Sequence, residues 1–274
     1  GSGATGGGVV VNNYGAITTT AHGIYAESIG GGGGAGGNSV TAVIQAINGA
    51  GATSGAPATN EIVTIGGAGG AGNHGGTVTV NNSEFLGQGA IETDGLGAHG
   101  IYAQSVGGGG GDGGSASGLS IVLGSECGTA LVCGTPTNSE NDYSVNVTVG
   151  GDGGKASNGG LVTVNNDGDI VTHAVGSSGI VAQSIGGGGG NGGNGVNGLG
   201  IPVVDVTLAA AGVLTSRVGI KKNLNVMVGG NGENSGDGGD VEVENNGSIT
   251  THGKVTVYKD GELVQLANGE GGIG

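Results

Sequence analysis

Large and cyclic side chains are scarce in this chain of 274 residues, which has 3 Pro, no Trp, 1 Phe and 1 Met. A core built on big side chains is thereby excluded. The few prolines also reject collagen, which needs Gly at every third position and Pro above about 15–20%. Basic residues are few as well, 6 Lys and Arg against 21 Asp and Glu, for a net charge of −15. Phosphate backbones and anionic lipid surfaces repel such a chain, so no nucleic acid partner is expected and no charged bilayer surface. Runs of about 18 or more apolar residues are missing, so this segment is not expected to insert into a membrane as a helix.

Glycine is what the chain has in excess, 74 residues against a usual share near 7%. Each Gly costs about 0.5–1 kcal/mol more than Ala to order, which favours a floppy chain unless order is cooperative. Hydrophobic residues still make up 35%, too much for a plain acidic linker. A stacked repeat supplies the missing cooperativity, because each unit buries its face on its neighbours.

Internal repeats decide the organisation. Gly23-Ile-Tyr-Ala-Glu-Ser-Ile-Gly30 returns as Gly100-Ile-Tyr-Ala-Gln-Ser-Val-Gly107 and as Gly179-Ile-Val-Ala-Gln-Ser-Ile-Gly186. Each copy runs into a glycine tract. A second unit precedes it: Val9-Val-Val-Asn-Asn13, Val78-Thr-Val-Asn-Asn82, Val162-Thr-Val-Asn-Asn166 and Val241-Glu-Val-Glu-Asn-Asn246. The super-repeat is near 80 residues. It divides the chain into repeats at 1–73, 74–158 and 159–237 and a partial repeat at 238–274, one continuous solenoid.

Alternation of branched aliphatics with small or polar residues predicts half-buried strands in both units and in the short stretch after VTVNN. Between each glycine tract and the next VTVNN lies a divergent excursion, Val40 to Ile65, Leu119 to Val149 and Leu199 to Val228. Its apolar ends and polar or Gly-rich middle predict two strands carrying a variable tip, where solenoids usually place recognition. The expected fold is all-β, a repeat solenoid of the parallel β-helix type, with recurring Val, Ile and Ser stacked along its axis. Gly66-Gly-Ala, Gly69-Gly-Ala and Gly150-Gly-Asp, Gly153-Gly-Lys keep a triplet phase. That period matches polyproline II strands, held together by weak Cα–H···O contacts; a flexible linker is the alternative. Near the end, Lys254 to Leu266 reads as a hairpin around Lys259-Asp-Gly261, either a cap on the stack or the start of another module.

Candidate chemistry is thin. The Asn pairs, with Asn12, Asn81, Asn165 and Asn245 as their first members, are expected to form a structural ladder at coil corners rather than a sugar-binding row. Ser28, Ser105 and Ser184 belong to the same stacked framework. His22 and His99 recur at one repeat position, where the third copy has Ser178, so a structural role is expected. His74, His173 and His252 lack metal-ligand spacing, and no metal site is expected among them. Gly107 to Asp112 fits a Ca²⁺ repeat once, without the apolar residue or the tandem copies. Oxygen-rich tips with Asp142, Asp152, Asp237 and Asp240 could still hold Ca²⁺ weakly; no other cofactor is implied. No GxSxG elbow or phosphate-binding Gly-Lys-Ser/Thr ending occurs, so no catalytic residues are assigned and the chain is read as not an enzyme.

GIYAQSVGGGGG and GIVAQSIGGGGGNGG, beside GGxVTVNNxGxIxT, resemble the passenger repeats of large bacterial autotransporters, the type V secretion family. The resemblance covers nearly the whole chain. It implies a surface-exposed passenger, commonly a parallel β-helix and often an adhesin, delivered by an outer-membrane β-barrel. Neither a signal peptide nor that barrel is present in these residues, and a piece of a longer array is expected. In that extracellular setting, Cys127 and Cys133 are spaced to close one loop tip as a disulfide, two free thiols being the alternative.

The function expected is a surface-displayed stalk or adhesin making multivalent contacts with a host or neighbouring cell surface or matrix. The contact candidates are Thr53, Ser54 and Thr59 in the first excursion, Asp142 in the second, and Arg217, Lys221 and Lys222 in the third. Self-association into an extracellular fibre is the alternative. Ice binding ranks third, on the strength of Thr18, Thr19, Thr20, Thr250 and Thr251.

Overall fold

The computed structural model describes residues 1–48, 59–83, 89–125, 143–197, 222–259 and 262–269. The first coil carries β1 (Val9–Asn13), β2 (Ile17–Thr19), β3 (Ile24–Ile29), β4 (Ser39–Asn48) and β5 (Thr59–Ile65). The second carries β6 (Val78–Asn82), β7 (Ile91–Thr93), β8 (Ile101–Val106), β9 (Ala116–Ser125) and β10 (Tyr143–Val149). The third carries β11 (Val162–Asn166), β12 (Ile170–Ala174), β13 (Ile180–Ile185), β14 (Gly195–Asn197) and β15 (Lys222–Val228). β16 (Val241–Asn245), β17 (Ile249–Lys259) and β18 (Glu262–Gly269) complete the order.

These strands form five sheets. Sheet A is β1-β6-β11-β16, sheet B is β2-β7-β12-β17 with β18 beyond, sheet C is β3-β8-β13, sheet D is β4-β9-β14 and sheet E is β5-β10-β15. All pairs between coils are parallel and, apart from a one-residue shift between β12 and β17 after Thr172, in register, Val9 beside Val78, Val78 beside Val162 and Val162 beside Val241. One turn of the solenoid is therefore one whole super-repeat, and the fold is an all-β parallel solenoid.

Sheets A, B and C enclose the apolar core. Val78, Val80, Ile91, Ile101, Val162, Val164 and Ile170 are fully buried there. Period two delivers them: in VTVNN both valines and the last Asn point inward, and in IYAQSV so do Ile101, Ala103 and Ser105. The Gly that opens the GIxAxS unit is needed for space, because a Cβ on Gly23 or Gly100 would run into the Cγ2 of Ile91 or Ile170 one coil on.

Sheets D and E form a second, two-layered lobe. The two strands of an excursion do not pair with each other, as a hairpin would. Each pairs instead with its counterpart in the next coil, β4 with β9 and β5 with β10. Stacking wins because a strand within the layer gains partners on both sides, whereas an isolated hairpin is marginal in water. The only antiparallel pair among the described residues is β17 with β18, the hairpin the sequence anticipates.

The glycine tracts join the two lobes in two facing rows, and they are ordered. Along the outgoing tract Gly30, Gly33 and Gly36 donate to Val106, Gly109 and Asp112 of the next coil. On the returning tract Gly67, Gly70 and Asn73 donate across to Gly37, Gly34 and Gly31. Every third residue thus repeats its role, which is the three-residue turn of polyproline II. The rows are held by full N–H···O bonds of 2.7–3.0 Å rather than by weak Cα–H contacts alone. Each contributes about 0.5–1.5 kcal/mol, enough to offset the entropy of ordering Gly.

Candidate functional site

Two side-chain ladders hold the coils in register. Asn13 donates to Asn82 Oδ1 at 2.7 Å, Asn82 to Asn166 at 2.6 Å and Asn166 to Asn245 at 2.6 Å. The second amide hydrogen of each turns back to a corner carbonyl, that of Gly15, Gly89, Gly168 or Gly247. At that corner Gly89 adopts a φ of 133°, a conformation L side chains rarely take. An outer row runs beside this one: Asn81 donates to Asn12 and Asn165 to Asn81, each at 2.8 Å. Asn245 does not continue the row of Asn12, Asn81 and Asn165, contrary to the expectation from the Asn pairs. It stands beside Asn166, and Glu244 occupies the outer row. The reason is period two: Val241 and Val243 pair with Val162 and Val164, so the register places Asn245 in the inner row.

The serines of the GIxAxS unit stitch one coil to the next. Ser28 Oγ donates to Gly7 O at 2.7 Å and accepts Gly76 N–H at 2.9 Å. Ser105 does the same between Gly76 and Gly160, and Ser184 between Gly160 and Gly239. A hydroxyl can donate and accept at once, so Ser satisfies one backbone group of each coil.

A third device is absent from the sequence reading. The residue at the outward place of a glycine triplet, or at a corner, accepts the backbone N–H of its equivalent one coil on. Asn38 Oδ1 accepts Ser115, Asp112 accepts Asn191, Asp152 accepts Asn231 and Asn158 accepts Asp237, at 2.8–3.0 Å. Asp112 and Asp152, considered above for Ca²⁺, are occupied in this way. Ser248 donates to Asp169 through both hydroxyl and backbone, at 2.6 and 2.9 Å, and this holds the carboxyl below its usual range. The signal was available: Asn, Asp, Ser or His recurs at the third place of the triplets.

The recurring histidines belong to this device. His22 Nδ1 accepts His99 N–H at 3.0 Å, and His99 Nδ1 accepts Ser178 N–H at 2.9 Å. Their rings stack at 5.1 Å, beside Tyr25 and Tyr102, which stack at 5.0 Å. Burial, and then the neighbouring His22, lower the pKa of His99. Tyr25 donates its hydroxyl to Glu27 at 2.9 Å, a bond that raises its pKa. His173 pairs with Glu92 at 2.7 Å and stacks on His252. Among the described residues no group of three or more His, Cys, Asp or Glu is placed to hold a metal ion.

The threonines are divided between inside and outside. Thr19, Thr93, Thr172 and Thr251 share one column, and Thr93 and Thr172 are fully buried within it. The neighbouring column is Thr18, Glu92, Val171 and Thr250, a mixed row.

Of the contact candidates, Thr53, Ser54, Asp142, Arg217 and Lys221 lie outside the described residues, as do Cys127 and Cys133. Thr59 and Lys222 open β5 and β15, and sheet E brings both onto one row beside Tyr143. The described strands that flank the three tips, β4 and β5, β9 and β10, and β14 and β15, all belong to sheets D and E. No family model, no curated protein and no solved structure gives a significant match to the chain.

Proposed function

We propose that this chain is part of a secreted stalk displayed on a bacterial surface, an adhesin passenger whose divergent excursions make the contacts. One observation carries the reading. Each repeat is a full coil bonded to the next through backbone, Asn and Ser ladders, while the excursion tips diverge in sequence between flanking strands that share one lobe. An invariant rod that offers one variable tip per coil suits many weak contacts acting together. The partner is a cell surface or matrix, and the chain carries out no catalysis.

The test is adhesion of beads carrying the chain in many copies to cells and to immobilised matrix. A variant with 49–58, 126–142 and 198–221 each replaced by a short Gly-Asn turn is compared with it. Loss of adhesion, with the rod unchanged by electron microscopy, is the expected result. Equal adhesion by both chains sinks the tip-contact reading.

A second reading is a self-assembling fibre, in which coils of separate chains would stack as the in-register coils of this chain do. Filaments that lengthen over a hundredfold concentration range would put assembly first.

A further inference from the structure

Sheet E is built inside out. In β5 and β10 its inward face carries Ile62, Thr64, Asn146 and Thr148, all buried, and three of the four are polar; in β15 the same face continues as Asn225 and Met227, both exposed. Asn146 Oδ1 and Thr64 Oγ1 find no hydrogen-bond partner there. Beyond the row of Thr59, Tyr143 and Lys222, the outward face carries three columns read across the strands: Glu61-Val145-Leu224, Val63-Val147-Val226 and Ile65-Val149-Val228. Eight of these nine residues are aliphatic. Val63 is 56% exposed, Ile65 61% and Leu224 57%, while Val145, Val147 and Val149 are half-buried, and among the described residues sheet E packs only on sheet D.

A slip of one residue would reverse the two faces, placing Thr and Asn in water and the valines against sheet D. The sequence holds the opposite register in all three coils. The exposed aliphatic face amounts to roughly 500 Å², at the upper end of what monomers leave in water.

We propose that this face pairs with the same face of a second copy of the chain, sheet E against sheet E about a two-fold axis. Charge selects the partner. At a net charge of −15 two copies repel over most of their surface, whereas this face places one acid, Glu61, and one base, Lys222, in adjacent rows and carries no net charge. Area agrees with that choice. Two such faces together remove about 1,000 Å², the lower bound for a specific interface, so the pair is weak for these coils and strengthens as more coils join it. An isologous contact closes at two chains, which separates it from growth through coil ends.

Analytical ultracentrifugation of the chain over a hundredfold concentration range tests the pairing. The expected result is a reversible dimer whose mass stops at twice the monomer. A Val63→Lys, Val147→Lys, Val226→Lys variant should be monomeric throughout. Val63→Thr, Val147→Thr, Val226→Thr keeps the branched shape and should weaken association at least tenfold, which covers the case in which lysines unfold the lobe. Thr79→Lys, Thr163→Lys on the outward face of sheet A should leave the dimer unchanged. A wild-type chain that stays monomeric overturns the proposal. So does a mass that keeps rising with concentration, or a dimer that both sheet E variants preserve.

Discussion

Asn82 donates to the Oδ1 of Asn166 at 2.6 Å, 84 residues away in sequence, with both side chains fully buried. Removing either leaves buried polar groups without partners, which costs about 1–3 kcal/mol for each. Asn82→Ala should therefore lower the denaturant midpoint by that order, with the m value unchanged. Asn81→Ala, one residue away in the outer row, should cost less because water replaces the lost bond.

The serine stitch makes a sharper comparison. Ser105→Ala strands the Gly76 carbonyl and the Gly160 N–H, both bonded to its hydroxyl at 2.8 and 2.7 Å. A loss of about 1–3 kcal/mol per stranded group is expected. Gln104→Ala, on the outward face of the same strand, should stay within about 0.5 kcal/mol. Equal effects at the two sites in thermal melts would remove the stitch from the account of stability.

Glycines at different places in the outgoing tracts should differ in tolerance. A Cβ on Gly111 would strike the carbonyl of Gly34, its equivalent one coil back, whereas one on Gly188 meets nothing within 4 Å. Gly188 is also outside the left-handed region. Gly188→Ala should be neutral or stabilise by about 0.4–1 kcal/mol, through a less flexible unfolded chain. Gly111→Ala should abolish the cooperative melt or lower its midpoint steeply.

Acid should loosen the His22–His99–Ser178 column. His99 Nδ1 accepts a backbone N–H, and a protonated ring has no lone pair there to offer. Its folded pKa lies below the ordinary value of about 6.5. The unfolded chain therefore binds this proton first. The stabilising contribution is complete above about pH 6.5 and is lost as pH falls through the lower folded value. His99→Ser, which copies the third coil, should flatten the fall in melting temperature between pH 7 and pH 5.5. An identical fall in wild type and variant would assign it to other groups.

Much of this was legible beforehand. Alternation in VTVNN and IYAQSV sorts the residues into two faces, and the structure buries the one with Val78, Val80, Ile101 and Ala103. The triplet phase of Gly66 to Gly76 likewise predicts three roles per turn, since a polyproline II strand has three faces. Recurrence marks Ser28, Ser105 and Ser184, and the structure supplies the two backbone groups that each one joins.

Other features depend on neighbours far along the chain. Asn245 was misplaced because its Asn pair looks like the others, while the pairing of Val243 with Val164 decides the row. The excursion strands read as hairpins, yet β4 finds its partner in β9 of the next coil. Whether Val63 and Val147 face a core or water could not follow from alternation, which separates two faces without saying which is covered. The sequence alone determined the strands, their repeat and the need for Gly where backbones converge, because those follow from local stereochemistry and periodicity. Only the tertiary structure decided that one coil is one whole repeat, that triplet side chains cap the next coil, and that sheet E turns its aliphatic face outward. Each of these is a choice of partner between residues some 80 positions apart or between layers, and local conformation is the same whichever partner is chosen.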